Sequence, residues 1–339
     1  MEISFDLTVA WALLLAFAVY VYVVLDGFDL GIGILYPFFP KKEDRDLMMN
    51  TVAPVWDGNE TWLILGGGGL FAAFPLAYAI IMPAVYPLII AMLLGLIFRG
   101  VAFEFRWRAG NKFSKRFWDA AFIGGSTVAA LTQGMILGTL LQGIEVDGRA
   151  YGGGWWDWLT PFTLLTGVAV VCGYALLGAT WLNWRVDGEL QHKVRVLARV
   201  FGFATMGFIG AVSLATPFLE PAYFERWFSW PQILEVSPIP ILVVGLTLWL
   251  AKELFDERND WAPFFITLGL FGLCFLGLGV SMWPYVIPTS VTLWDAASPY
   301  SSQLFMFVGA IVLVPLILAY TAYAYWVFRG KLKVGDGYH

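Results

Sequence analysis

Four carboxylates stand beside long apolar runs. Asp26 and Asp29 belong to Asp26-Gly27-Phe28-Asp29, and Asp57 and Glu60 to Trp56-Asp57-Gly58-Asn59-Glu60. An ionisable side chain in a lipid-embedded helix costs about 2.5–3.5 kcal/mol near the bilayer centre. Such groups line proton or ion paths, or pair inside a helix bundle. Each pair is spaced i, i+3, so both acids share roughly one helix face. Three chemistries fit. Carboxylates crowded away from water can exchange protons near neutral pH, which makes a proton-entry route. Asp57 and Glu60 at a helix start suit capping and the helix dipole, and any of the four can pair with Arg99 as counter-charge. Two Asp-rich turns can also hold a hard cation. Capping explains Asp26 poorly, because the dipole opposes a carboxylate near a helix C-terminus.

The elements that carry these acids are membrane spans. Of the 339 residues 59% are hydrophobic and 13% charged, well under the roughly 25% charge of soluble domains. Mean hydropathy is +0.73. The net charge of −5 gives no footing for nucleic acid. About 20 apolar residues cross a bilayer as a helix. Nine segments meet that description, at about 9–36, 54–74, 78–103, 118–141, 160–184, 198–216, 238–251, 263–284 and 304–328. The weakest, 238–251, is short and opens on Pro238 and Pro240. With nine spans, all but two of the 20 Lys and Arg residues fall on one side; Arg149 and Arg226 fall on the other. The positive-inside rule then puts the N-terminus outside and the C-terminus in the cytoplasm. Both acidic motifs come to similar depth, near the cytoplasmic face. The acidic start, Met1 to Asp6, lacks the basic n-region of a signal peptide, so the first run is expected to remain as a span.

Other features are quieter. The only histidines are His192, in a polar connection, and His339, so neither a bis-His haem site nor a His-rich metal centre is expected within the bilayer. Cys172 and Cys274 lie in separate apolar runs and are read as small core residues. The glycines from Gly66 to Gly69 imply close packing of the second segment deep in a bundle. Pro83, Pro87 and Pro315 are expected to kink their helices. Trp155-Trp156-Asp157-Trp158 and Trp227-Phe228-Ser229-Trp230 read as interfacial anchors. Asp295 suits a helix cap ahead of the last segment better than a polar outer route. Asn59-Glu60-Thr61 matches a glycosylation sequon but lies on the predicted cytoplasmic side.

Several longer motifs resemble subunit II of the cytochrome bd-type quinol oxidases along nearly the whole chain. They are Leu25-Asp26-Gly27-Phe28-Asp29-Leu30-Gly31-Ile32-Gly33, Ala53-Pro54-Val55-Trp56-Asp57-Gly58-Asn59-Glu60-Thr61-Trp62-Leu63, Gly67-Gly68-Gly69-Leu70-Phe71-Ala72-Ala73-Phe74-Pro75, Phe98-Arg99-Gly100-Val101-Ala102-Phe103-Glu104 and Thr292-Leu293-Trp294-Asp295-Ala296. Leu35-Tyr36-Pro37-Phe38 looks like the branch called cyanide-insensitive oxidase. The resemblance implies an all-α, polytopic fold of nine transmembrane helices. It implies two four-helix bundles, about 9–141 and 160–284, plus a peripheral helix at about 304–328. It implies a haem-free chain in the bacterial inner membrane, paired with a subunit I that carries b haems and either haem d or b only. Quinol is oxidised outside, at subunit I, and oxygen is reduced to water. A small single-span subunit, membrane lipids and a structural quinone are further partners known in the family. Trp56 and Asp57 match the Trp-Asp motif of its cytoplasmic proton route; Asp26, Asp29 and Arg99 match motif positions of less defined role. Glu60 departs from relatives that have Gln there, so it is expected to tune the route. The residues alone also fit a secondary transporter using the same carboxylates, or a pure scaffold; no internal repeat of the transporter kind is evident.

Overall fold

The computed structural model describes residues 6–256 and 258–333. The acidic start before Asp6, and His339, lie outside the described residues. The first helix, α1 (Leu7–Leu35), is capped by Asp6, whose carboxylate accepts from the Thr8 and Val9 amides. Pro37 ends it in a short 3₁₀ turn. A nine-residue helix, α2 (Lys42–Asn50), occupies what the sequence reads as a loop; Leu47, Met48 and Met49 bury its inner face. Then come α3 (Trp56–Ala73) and α4 (Pro75–Phe105), separated at Phe74 because Pro75 disfavours a helical residue before it. Pro83 and Pro87 lie inside the uninterrupted α4, as Pro315 does in the last helix. After α5 (Lys112–Leu141), a two-stranded ribbon pairs Val146–Asp147 with Ala150–Tyr151.

The second half holds α6 (Pro161–Arg185), α7 (Gly188–Ala215), the short α8 (Pro221–Phe228) and α9 (Gln232–Val236), α10 (Pro238–Asp256) and α11 (Ala262–Met282). A second ribbon, the short α12 (Leu293–Ala296) and the long α13 (Tyr300–Val327) follow. Two elements differ from the sequence reading. α7 starts ten residues early, so His192, Lys193 and Arg195 are helical, not in a connection. Leu190, Val194 and Ala198 recur every fourth residue and bury one face, while the charged residues take the other. α10 extends the weak segment through Lys252 and Glu253 to Asp256.

Eight described helical stretches are long and apolar enough to cross a membrane; α3 is not among them. Its polar first turn and four glycines account for that. The chain is thus an all-helical, polytopic membrane protein. α1 is the hub, packed on α3, α5, α6 and α13. Glycines let the backbones touch. A Cβ on Gly31 would lie 1.9 Å from the Tyr174 carbonyl oxygen of α6, and one on Gly95 would lie 2.8 Å from the Gly125 carbonyl oxygen of α5. The four-glycine run behaves differently from expectation. Gly66 and Gly69 meet Val19 and Leu15 of α1, but Gly67 and Gly68 face open space. α3 therefore packs on one side only. Cys172 and Cys274 are free thiols, part-buried and not in the core.

Candidate functional site

Two turns from the end of α1, Asp26 and Asp29 are fully buried, and so is Arg99 of α4. Arg99 Nη1 lies 3.0 Å from Asp26 Oδ1 and 2.5 Å from Glu60 Oε1, and Nη2 lies 3.6 Å from Asp29 Oδ2. Phe103 lies beneath the guanidinium, 5.6 Å away. Three of the four acids thus meet on one cation. Among the described residues no group of three His, Cys, Asp or Glu is placed to hold a metal.

The α3 acids do not share a face. Asn59, Trp62 and Gly66 form the buried stripe of α3. Glu60 borders that stripe and reaches Arg99, with its side chain 25% exposed. Asp57 lies outside it, exposed, though close enough to Glu60 to act on it electrostatically. Asp57 is in the first turn of α3, where the helix dipole favours it, yet makes no cap. Trp56 stacks on Phe103 at 4.7 Å and 5°, and a Cβ on Gly100 would touch its ring. It fixes the start of α3 to α4 by packing.

Uncharged partners complete the cluster. Asn59 Nδ2 donates to Asp29 Oδ2 at 2.7 Å and lies 3.5 Å from the Leu25 carbonyl oxygen. Tyr325 of α13 donates its hydroxyl to Asn59 Oδ1 at 2.9 Å. On the other flank Tyr174 donates to Gln133 Oε1 at 2.7 Å, and Gln133 Nε2 to the Tyr22 hydroxyl at 2.8 Å. Tyr22 sits one turn before Asp26 and interacts with its carboxylate. Sequence reasoning misses Asn59, Tyr325, Tyr22 and Gln133. The available signals are the Tyr22–Asp26 spacing and an amide, Gln133, inside an apolar segment. Even so, Asp26 Oδ1 and Oδ2, Asp29 Oδ1, and Arg99 Nε and Nη2 are buried without a hydrogen bond.

Away from this cluster, Asp295 closes a capping box with Thr292 on α12. Asp6 accepts from Trp294 Nε1 at 2.8 Å, which holds its pKa below the ordinary 3.8.

Fold and site define a polytopic helical membrane protein with a buried ionic cluster shared by α1, α3 and α4. The sequence matches the family described as cytochrome bd terminal oxidase subunit II over residues 7–328, and the chain belongs to that family. It is 33% identical to cytochrome bd-I ubiquinol oxidase subunit 2 of Escherichia coli K12, covering 96% of this chain and 95% of that protein. It is 29% identical to cytochrome bd ubiquinol oxidase subunit 2 of Bacillus subtilis, covering 95% and 96%. In three dimensions it is similar to a chain of the bd oxidase from Geobacillus thermodenitrificans, with a TM-score of 0.71 at 15% identity over 96% of this chain and 99% of that one. As subunit II it is part of a quinol oxidase, an oxidoreductase complex with at least one further subunit.

Proposed function

We propose that this chain is the haem-free subunit of an oxidase that couples quinol oxidation to reduction of oxygen to water. It supports a haem-bearing subunit I and supplies part of the proton-uptake route from the cytoplasm. On this reading α3 is a ninth span, the helices form two four-helix bundles with α13 peripheral, and the N-terminus faces outward. The distribution of Lys and Arg supports that orientation. The two histidines of the sequence support haem binding elsewhere.

One observation carries the route: Glu60 lies between an exposed acid, Asp57, and the two buried acids, Asp26 and Asp29, that share its arginine. Three carboxylates against one guanidinium balance in charge only when the set holds two protons. Glu60 and Asp26 press on the same nitrogen, Arg99 Nη1. A proton arriving on Glu60 neutralises it and leaves Nη1 to Asp26, which favours release of a proton from Asp26. Asp57, on the open face of α3, is where protons pass between this chain, water and the neighbouring subunit. Trp56 holds the helix start that carries it.

The test is Asp57→Asn in the assembled complex. Turnover should fall while the haem spectra persist. Unchanged turnover removes Asp57 from the route, and loss of haem insertion indicates a scaffold.

A further inference from the structure

α13 is mostly exposed: Phe305, Val312, Leu316, Tyr320 and Tyr323 all face outward. Tyr325 turns inward instead. Its ring lies edge-on to Phe28 at 6.4 Å and Trp181 at 6.1 Å, two rings themselves stacked 4.4 Å apart. Its hydroxyl reaches Asn59 Oδ1. Asn59 is 1% exposed and turns its NH₂ to α1, toward Asp29 Oδ2 and the Leu25 carbonyl. Donation from Tyr325 to the amide carbonyl polarises the amide and makes its N–H the better donor. Asp29 Oδ2 is therefore committed as an acceptor. Asp29 Oδ1 is buried with no hydrogen bond.

We propose that Tyr325 is a positioning residue for proton exchange at Asp29, acting through Asn59 to keep Oδ2 an acceptor, so that the exchanged proton sits on Oδ1. Uptake forms one O–H bond at Oδ1 and neutralises the carboxylate. Release passes the proton to Glu60, the acid of the set that is partly exposed, and restores the charge; no electron moves. This rests on the reading that Asp29 belongs to the proton route. The other ionisable groups around Asp29 and Asn59 are Tyr22 and Asp26 of α1, Glu60 of α3, Arg99 of α4, and Tyr174 and Arg185 of α6. α5 contributes the uncharged Gln133, and α11 the ring of Phe264.

The experiment is an infrared pH titration of the whole complex. The carboxyl C=O band of Asp29 is assigned by its loss in Asp29→Asn. Tyr325→Phe removes one hydroxyl and weakens the donor that stabilises the ionised form. The band midpoint should move to higher pH by about half a unit to one unit, and the pH profile of oxygen consumption should follow. Asn59→Leu removes the donor outright and should move the midpoint at least as far, which sets the scale for Tyr325→Phe; Tyr325→Leu, which also lacks the hydroxyl, is the second variant at that position. A midpoint that moves in Asn59→Leu but not in Tyr325→Phe, or in neither, overturns the inference. Wild-type turnover and pH profile in Asp29→Asn would instead remove the proton-route reading itself, whatever the band does.

Discussion

Two arginines, Arg99 within α4 and Arg106 at its C-cap, seven residues and about 10 Å apart, sit in opposite surroundings. Arg106 is buried and donates to Asp119 at 2.5 Å and Asp46 at 2.6 Å. Arg45 adds a 3.0 Å bond to Asp119, and Lys115 lies 3.4 Å from Asp46. Bases outnumber acids, and both acids keep some contact with water. Only Arg106 Nη2 is left without a hydrogen bond in that pair-rich network. It ties α2 and α5 to the end of α4. Arg99 faces the reverse ratio, three acids to one base. Asp26, Asp29 and Arg99 have no contact with solvent, and five of their polar atoms lack a hydrogen bond. The same pairing chemistry gives a clamp where bases are in excess and water is near. On the proposed reading it gives a store of exchangeable protons where acids are in excess and water is excluded.

The largest effect expected from this contrast follows Arg99→Leu. Stranding buried charges costs about 3–5 kcal/mol, unless the acids neutralise by taking protons. The account predicts that they do. The complex should assemble with normal haem spectra, and oxygen consumption should fall by on the order of tenfold or more, a barrier rise of about 1.4 kcal/mol per decade. Loss of stability with turnover intact would make Arg99 a second clamp. Next is Asp119→Ala. It removes an acceptor from Arg106 and Arg45, and thermal unfolding should report a loss of about 1.5–3 kcal/mol. Turnover of the folded complex should not change; a drop would join the two clusters functionally. The smallest effect concerns the far end of the molecule. The bond from Trp294 keeps the Asp6 pKa below 3.8, so Asp6 stabilises the fold above that pH. That contribution disappears as pH falls through the lower folded value. Protection of the first turn of α1, measured as amide exchange relative to the intrinsic rate at each pH, should therefore fall below about pH 4, and Asp6→Asn should blunt that pH dependence.

Charge within apolar sequence was legible because it is costly. Asp26, Asp29 and Arg99 announce themselves in their motifs, and all three are buried together. Each expected segment coincides with a helix, and eight of these are long and apolar enough to span; α7 extends furthest beyond its segment, through a charged but periodic stretch. The split between Asp57 and Glu60 was not legible. Spacing gives their angle on α3, but only the packing of Asn59, Trp62 and Gly66 on α1 decides which way that angle points. Tyr325 and Gln133 were hidden for another reason. A lone hydroxyl or amide in an apolar run carries no clear penalty when a partner on another helix satisfies it.

Proton uptake through Glu60 is the central claim. It is measured most directly by reconstituting wild-type and Glu60→Gln complexes in vesicles and following, with a pH-sensitive dye, proton consumption on the cytoplasmic face after an oxygen pulse. The account predicts slower uptake in Glu60→Gln, in proportion to slower oxygen reduction, with the haem spectra unaltered. Uptake at the wild-type rate would contradict it.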